Sequence, residues 1–327
     1  MWQKQVAPFK SMHGYGPSPL IYRSLVIVPA DNPGPNYLAA LRRDTGEVVW
    51  RIHRMDYQSF ASPNVGRLAG RDQLVVMGPK EVSSYDPING QRIWYATGPT
   101  LEHAATAVFG DQTVYTSAGY PDKRLYAIRA DGSGDVTATH ILWKRMKDGS
   151  FVPTPLWHAG LLYVVNDRGL ALCLDAKTGD EVWSQRLEGG FSASPVLVGD
   201  KLFVPNEAGK MFVLQTGREF KLLAENDLQD GGFASPVICG SRIYECEPEE
   251  GKFAPQSEPM LNLVNTIRLY KDAGTDVVLN TSILATRSPR RTVRCSSRGP
   301  SMSGIPKEAQ DSVHTRPHLR HPDSQSR

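Results

Sequence analysis

Three stretches of the chain carry residue types that could do chemistry. Asp44-Thr45-Gly46 spells the signature of an aspartic protease, and Lys177-Thr178-Gly179 spells a β-lactamase motif. His314, His318 and His321 fall at spacings that could bind a metal from one face of an ordered helix. Each chemistry needs a context that the sequence does not supply. The two triplets have neither a partner carboxylate nor a Ser-x-x-Lys in a matching place, and both occupy one turn of an internal repeat. The three histidines lie in an Arg-, Pro- and Ser-rich stretch with no apolar face to hold a helix. His13, His53, His103, His140 and His158 are scattered and read as satisfied polar residues. Cys173, Cys239, Cys246 and Cys295 are too few for a disulfide framework, and no pairing of Cys239 with Cys246 is expected. Trp157 and Tyr120 could line a binding face, but a packing role is the expected one. No catalytic, cofactor-binding or metal-binding residue is assigned.

The elements around these residues recur with a period of about forty residues. One copy runs from Phe151 through Leu161-Leu-Tyr-Val-Val165 and Leu170-Ala-Leu-Cys-Leu-Asp175 to Glu181-Val-Trp183. The next runs from Phe191 through Lys201-Leu-Phe-Val204 and Met211-Phe-Val-Leu214 to Thr216-Gly217. Each holds four short apolar stretches parted by turn pairs such as Arg168-Gly169, Thr178-Gly179 and Gly199-Asp200. Four strands joined by tight turns predict one antiparallel sheet, the blade of a propeller.

Two anchors stay in register. A Ser/Thr-Pro opens the first strand at Ser18-Pro19, Ser62-Pro63, Thr154-Pro155, Ser194-Pro195 and Ser235-Pro236. A Gly is followed four residues later by Trp at Gly46 to Trp50, Gly90 to Trp94 and Gly179 to Trp183. A further copy, centred on Tyr126-Ala-Ile128 and ending at Trp143, fits if its last turn is lengthened by Asp131 to Thr139. Glycine permits positive φ at the turn, and the indole offers a large surface to cover the neighbouring blade.

Ala40 to Trp50, Ser84 to Trp94 and Cys173 to Trp183 resemble the tryptophan-docking motif of pyrroloquinoline-quinone-like propellers, over about residues 15 to 245. That family includes quinone-dependent dehydrogenases and non-catalytic relatives such as the outer-membrane assembly scaffold BamB. A quinone dehydrogenase of this type would show adjacent cysteines, a calcium-binding Glu/Asn/Asp set and a catalytic Asp. No two cysteines here are adjacent, and no carboxylate matches the calcium site. The resemblance therefore implies the non-catalytic branch, with no cofactor.

The repeat stops after its sixth start, Gly232 to Tyr244. Glu245 to Gly251 breaks the pattern, Leu261 to Ile283 could form one or two strands, and the rest has a composition that buries no core. A disordered extension or a shift of reading frame after about Tyr244 would each give this break, and the Arg/Ser/Pro enrichment favours the second. The expected organisation is an all-β, incomplete propeller of about five to six blades over 1–246, then an irregular tail over 247–327. An open arc exposes blade sides, so poor solubility or self-pairing is expected.

The formal net charge is +3, with arginines crowding the tail and a body close to neutral, which makes no electrostatic case for nucleic acid. No apolar run has the roughly twenty residues of a membrane helix, and the first ten residues lack the core of a signal peptide. The resemblance implies export to the periplasm and a protein partner at the propeller loops. A quinone-dependent oxidoreductase relative that has lost or lacks its cofactor site is the alternative.

Overall fold

The apolar runs of the repeat become strands because each is a short β-branched or aromatic stretch bounded by turn residues. A computed structural model describes residues 2–4, 15–31, 36–55, 57–99, 101–228, 231–239 and 242–244. The first blade is β1 (Leu20–Tyr22), β2 (Leu25–Ala30), β3 (Tyr37–Arg42) and β4 (Val48–His53). The second is β5 (Asn64–Leu68), β6 (Arg71–Gly78), β7 (Glu81–Tyr85) and β8 (Arg92–Thr97). The third holds β9 (Val108–Gly110), β10 (Thr113–Ala118), β11 (Arg124–Arg129) and β13 (Ile141–Arg145), with the short β12 (Gly134–Asp135) inside its last turn. The fourth is β14 (Leu156–His158), β15 (Leu161–Val165), β16 (Leu170–Asp175) and β17 (Glu181–Arg186). The fifth is β18 (Val196–Val198), β19 (Lys201–Pro205), β20 (Lys210–Gln215) and β21 (Leu222–Asp227), and β22 (Val237–Cys239) pairs with β23 (Arg242–Tyr244) to begin a sixth.

Within each blade neighbouring strands are antiparallel and follow chain order, the meander of a propeller. Five blades and a two-stranded start therefore match the sequence reading. One feature departs from it: β12 leaves the third blade and pairs in parallel with β8, so the second sheet has five strands.

Stacking between blades makes the core. Val75, Met77, Val82 and Trp94 of the second blade share one apolar cluster with Val114 and Ile128 of the third. Tyr163, Cys173 and Phe191 share another with Val204 and Phe212 of the fifth. A single blade could not keep such faces dry.

The ladder between third and fourth strands explains the tryptophans. Trp50 lies opposite Ala40, Trp94 opposite Ser84, Trp143 opposite Ala127 and Trp183 opposite Cys173, with a bulge directly after each of those partners. The partners are small, which leaves room for an indole. In the fifth blade Ala224 takes this place, opposite Val213. Three of these indoles bond across to the following blade. Trp50 Nε1 donates to the Pro87 carbonyl (3.2 Å), Trp143 Nε1 to that of Ala176 (2.9 Å) and Trp183 Nε1 to that of Gly217 (3.0 Å). Gly90 and Gly179, at φ +74° and +76°, lie under Trp50 and Trp143, where a Cβ would sit 2.7 and 2.6 Å from the rings. The turn glycine thus seats the indole of the blade before it, as well as permitting positive φ. Trp2 docks in the same way, over Gly46 with Nε1 on the Arg43 carbonyl at 2.8 Å.

His13, His314, His318, His321, Cys246, Cys295, the 245–251 break, the Leu261–Ile283 segment and the 247–327 tail lie outside the described residues.

Candidate functional site

The first strands meet near the axis, and there the Ser/Thr-Pro anchors show their purpose. Ser18 N donates to Ser62 Oγ (2.8 Å), Thr154 N to Ser194 Oγ (3.0 Å) and Ser194 N to Ser235 Oγ (2.9 Å). The anchor hydroxyl of one blade satisfies a backbone amide of the blade before it, an amide with no ladder partner. Thr106 continues the series, its N donating to Thr154 Oγ1 at 3.0 Å. It was hidden in the sequence because Ala107, not proline, follows it. These hydroxyls carry structural bonds, and Ser62, Thr106, Thr154, Ser194 and Ser235 enclose an axial cavity of about 20 Å³. That is room for about one water.

Loops on one face of the disc carry a second repeated device. Asn166 Oδ1 accepts from the Arg168 and Leu170 amides, and Asn206 Oδ1 accepts from those of Ala208 and Lys210. The next residue of each loop is a carboxylate, Asp167 in one and Glu207 in the other. Asp167 accepts from Lys123 Nζ (2.6 Å) and from the Phe151 and Val152 amides (2.9 and 3.0 Å). Its burial alone would raise its pKa, but the lysine and amides outweigh this and hold it below the usual carboxylate range. Glu207 accepts from the Ser192 hydroxyl at 2.6 Å. Between the first and second blades, Arg54 makes a bidentate pair with Asp31 (2.8 and 3.0 Å), both nearly fully buried, and reaches the Tyr85 hydroxyl at 3.1 Å. Burial works against the guanidinium's charge, but the carboxylate at this distance holds its pKa above the ordinary arginine value. These ionised groups tie loops and blades together.

The chemical candidates resolve as follows. Asp44 is an exposed turn residue paired with Arg42 at 2.6 Å. Lys177-Thr178-Gly179 wraps the Asp175 carboxylate, which caps the Lys177 amide at 3.1 Å. In both turns the glycine amide bonds back four residues, to Arg42 and Asp175, and this explains why the triplets share a position. Cys173 is buried behind Trp183, and its burial pushes the thiol up to about 12, far from a nucleophile's range. His103 is fully buried. His140 holds the long turn of the third blade, with the Thr139 hydroxyl 2.7 Å from Nδ1 and Asp131 3.4 Å from Nε2, although Arg129 holds that carboxylate more closely (2.6 Å). Trp157 packs over Gly110, the packing role expected of it, whereas Tyr120 is 53% exposed. Among the described residues no three His, Cys, Asp or Glu side chains gather as metal ligands would.

The fit of a quinone follows from these dimensions. A small-molecule site occupies about 300–1,000 Å³, and the axial cavity is far smaller, lined by hydroxyls already engaged between blades. The residues on the axis do not fit that cofactor.

Tryptophan-docked four-stranded blades around a hydroxyl-lined axis define a repeat propeller of the quinone-like class. The family model described as "Outer membrane protein assembly factor BamB" matches residues 1–185 and 139–220, and the chain belongs to that family. The crystal structure of BamB from Moraxella catarrhalis superposes with a TM-score of 0.54 at 18% identity, covering 70% of this chain and 68% of that one, a likeness of fold. No curated protein matches. No helix among the described residues is long and apolar enough to cross a membrane.

Proposed function

We propose that the protein is a non-enzymatic scaffold whose loop face docks another protein, on the periplasmic side of outer-membrane protein assembly. Membership of the BamB family supports this reading. The observation that carries it is the use of the axial groups: hydroxyls, carboxylates and amides that could form a reactive centre are engaged in structural bonds, the anchor hydroxyls and the Lys123–Asp167 pair between blades and the Phe151–Asp167 and Ser192–Glu207 bonds within them. What remains available on the loop face is surface for contact, including exposed Tyr120.

The test has two arms. Titration with pyrroloquinoline quinone and calcium, followed by a dye-reduction assay, is expected to give no turnover; turnover would overturn the reading. A photo-crosslinking residue placed at Tyr120 in the source cell is expected to trap one discrete envelope protein. The same residue placed at Leu223, on the outer rim, is expected to trap none. Equal labelling from both positions would also overturn it.

A further inference from the structure

The repeat itself shows what the fold requires, and the second blade departs from it at one place. The hairpins β1–β2, β9–β10, β14–β15 and β18–β19 each close over three paired rungs, but β5–β6 closes over five. Arg67 to Asp72 therefore projects beyond the neighbouring turns, on the face opposite the loops. The last turn of the third blade is lengthened beside it. The closing bond of this turn runs from Arg42 N to the Glu47 carbonyl in the first blade, but from Arg129 N to the His140 carbonyl in the third. The two excursions are joined, since Arg71 Nη2 donates to the Gly132 carbonyl at 2.9 Å. On its other side the projecting hairpin is tied to the first blade, where Asp72 accepts from Tyr22 (2.5 Å) and Arg23 (3.2 Å).

Between these walls lies a groove of about 480 Å³, lined by Arg23, Arg67, Arg71 and Arg92 over a floor that includes Ile88 and Ile93. Its volume is that of a binding site. Two carboxylates, Asp72 and Asp86, also line it. Asp86 is occupied in its own turn, accepting from the Ile88 amide (2.7 Å) and Asn89 (3.1 Å). Asp72 is shared between Tyr22, Arg23 and Arg67. Arg92 also faces a third carboxylate from outside the groove, Glu81 at 3.6 Å, and lies over the Tyr95 ring. Four guanidiniums against these three engaged carboxylates still leave an excess of positive charge. The side chains of Arg23 and Arg67 are 66% and 70% exposed, and each guanidinium has five N–H donors, most of them turned to water here. Ile88 is 47% exposed beside them.

We propose that this groove binds an extended acidic segment of a partner protein, its carboxylates on Arg23, Arg67 and Arg92 and an apolar side chain on Ile88 and Ile93. Arginine's planar fork matches a carboxylate bidentately. The apolar floor and the interspersed carboxylates disfavour a nucleic-acid backbone, which offers phosphates at every step and nothing apolar. The groove lies on the face opposite the loops and stands or falls independently of the loop-face reading.

The experiment uses the full chain and a fluorescein-labelled decapeptide of alternating Glu and Leu, read by fluorescence anisotropy. Binding is expected to weaken with salt and to vanish for the Gln-for-Glu peptide. Arg67→Glu with Arg92→Glu should reduce affinity at least about tenfold, Ile88→Ser about threefold, and Lys177→Glu, in the corresponding turn of the fourth blade, not at all. Arg67→Gln with Arg92→Gln guards against a folding defect, since loss of affinity with an unchanged melting temperature still supports the groove. Equal affinity of wild type and both double variants overturns the proposal, as does tighter groove-dependent binding of a ten-nucleotide single strand.

Discussion

The junction of the fourth and fifth blades and that of the second and third solve one problem in two ways. At the first, Trp183 gives its indole N–H directly to a turn carbonyl of the next blade, Gly217. At the second, the fully buried Trp94 donates to Gln73 Oε1 at 2.7 Å, and Gln73 Nε2 donates to the carbonyls of Ala130 (2.9 Å) and Leu68 (3.0 Å). Ser84 Oγ also donates to Gln73 Oε1, at 2.8 Å. The amide side chain relays between the indole and the following blade where the turn there has grown. β12 then closes over the gap, with the Val136 amide on the Tyr95 carbonyl at 2.9 Å. A backbone acceptor works with any sequence, whereas a side-chain relay needs one particular residue. The regular junction is consequently tolerant, and the irregular one is specific.

Truncation measures that contrast most strongly. Trp94→Ala should destabilise by about 4 kcal/mol, more than the about 3 kcal/mol expected for the half-buried Trp183→Ala. Gln73→Leu should cost about 2 kcal/mol, because it leaves an indole N–H, a hydroxyl and two carbonyls without their bonds. Combined with Trp94→Ala it should add less than its full effect. Urea unfolding of the single and double variants checks this, and strict additivity would remove the relay from the account.

Two turn glycines of the fourth blade separate backbone strain from indole packing. Gly160 and Gly179 share a φ near +77°, but a Cβ meets nothing within 4 Å at Gly160 and lies 2.6 Å from Trp143 at Gly179. Gly160→Ala should cost about 1 kcal/mol from strain alone. Gly179→Ala should cost about 3 kcal/mol, since overpacking adds to it. Equal melting temperatures of the two variants would show that the glycine serves only the turn.

The smallest effect is one of pH. The carboxyl of Asp167 is held below its ordinary value of 3.8, so its stabilisation is complete above that pH and is lost as pH falls through the lower folded value. The advantage of wild type over Asp167→Asn in thermal melts should be full near pH 6 and shrink below about pH 4. A constant advantage across that range would mean that the charge on Asp167 contributes nothing.

Much of the architecture was legible because it repeats. The Gly-to-Trp spacing and the Ser/Thr-Pro anchors located the blades, and the sheets follow them. Trp2 escaped notice because it is the second residue given, so a Gly-to-Trp spacing cannot be read there. Thr106 escaped because it lacks the proline. The candidate groove was not legible: Arg23, Arg71 and Arg92 come from three separate turns, and the two extra rungs of β5–β6 show only when the ladders are compared. Gln73 looked like any polar residue of a strand, since its partners Trp94 and Ala130 lie 21 and 57 residues away.

By itself the sequence determined the blade: where strands run, where they turn, and which residue is the large aromatic in the blades that carry one. These are local matters of β-propensity, positive φ and side-chain size, restated about every forty residues. Only the tertiary structure decided that Trp2, Trp50 and Trp143 belong to the next blade's glycine, that backbone amides find their hydroxyl acceptors on the following blade along the axis, and that two longer turns enclose a basic groove. Those contacts join rigid sheets across a stacking interface, so they depend on how one blade sits on another, a quantity that no single copy of the repeat encodes.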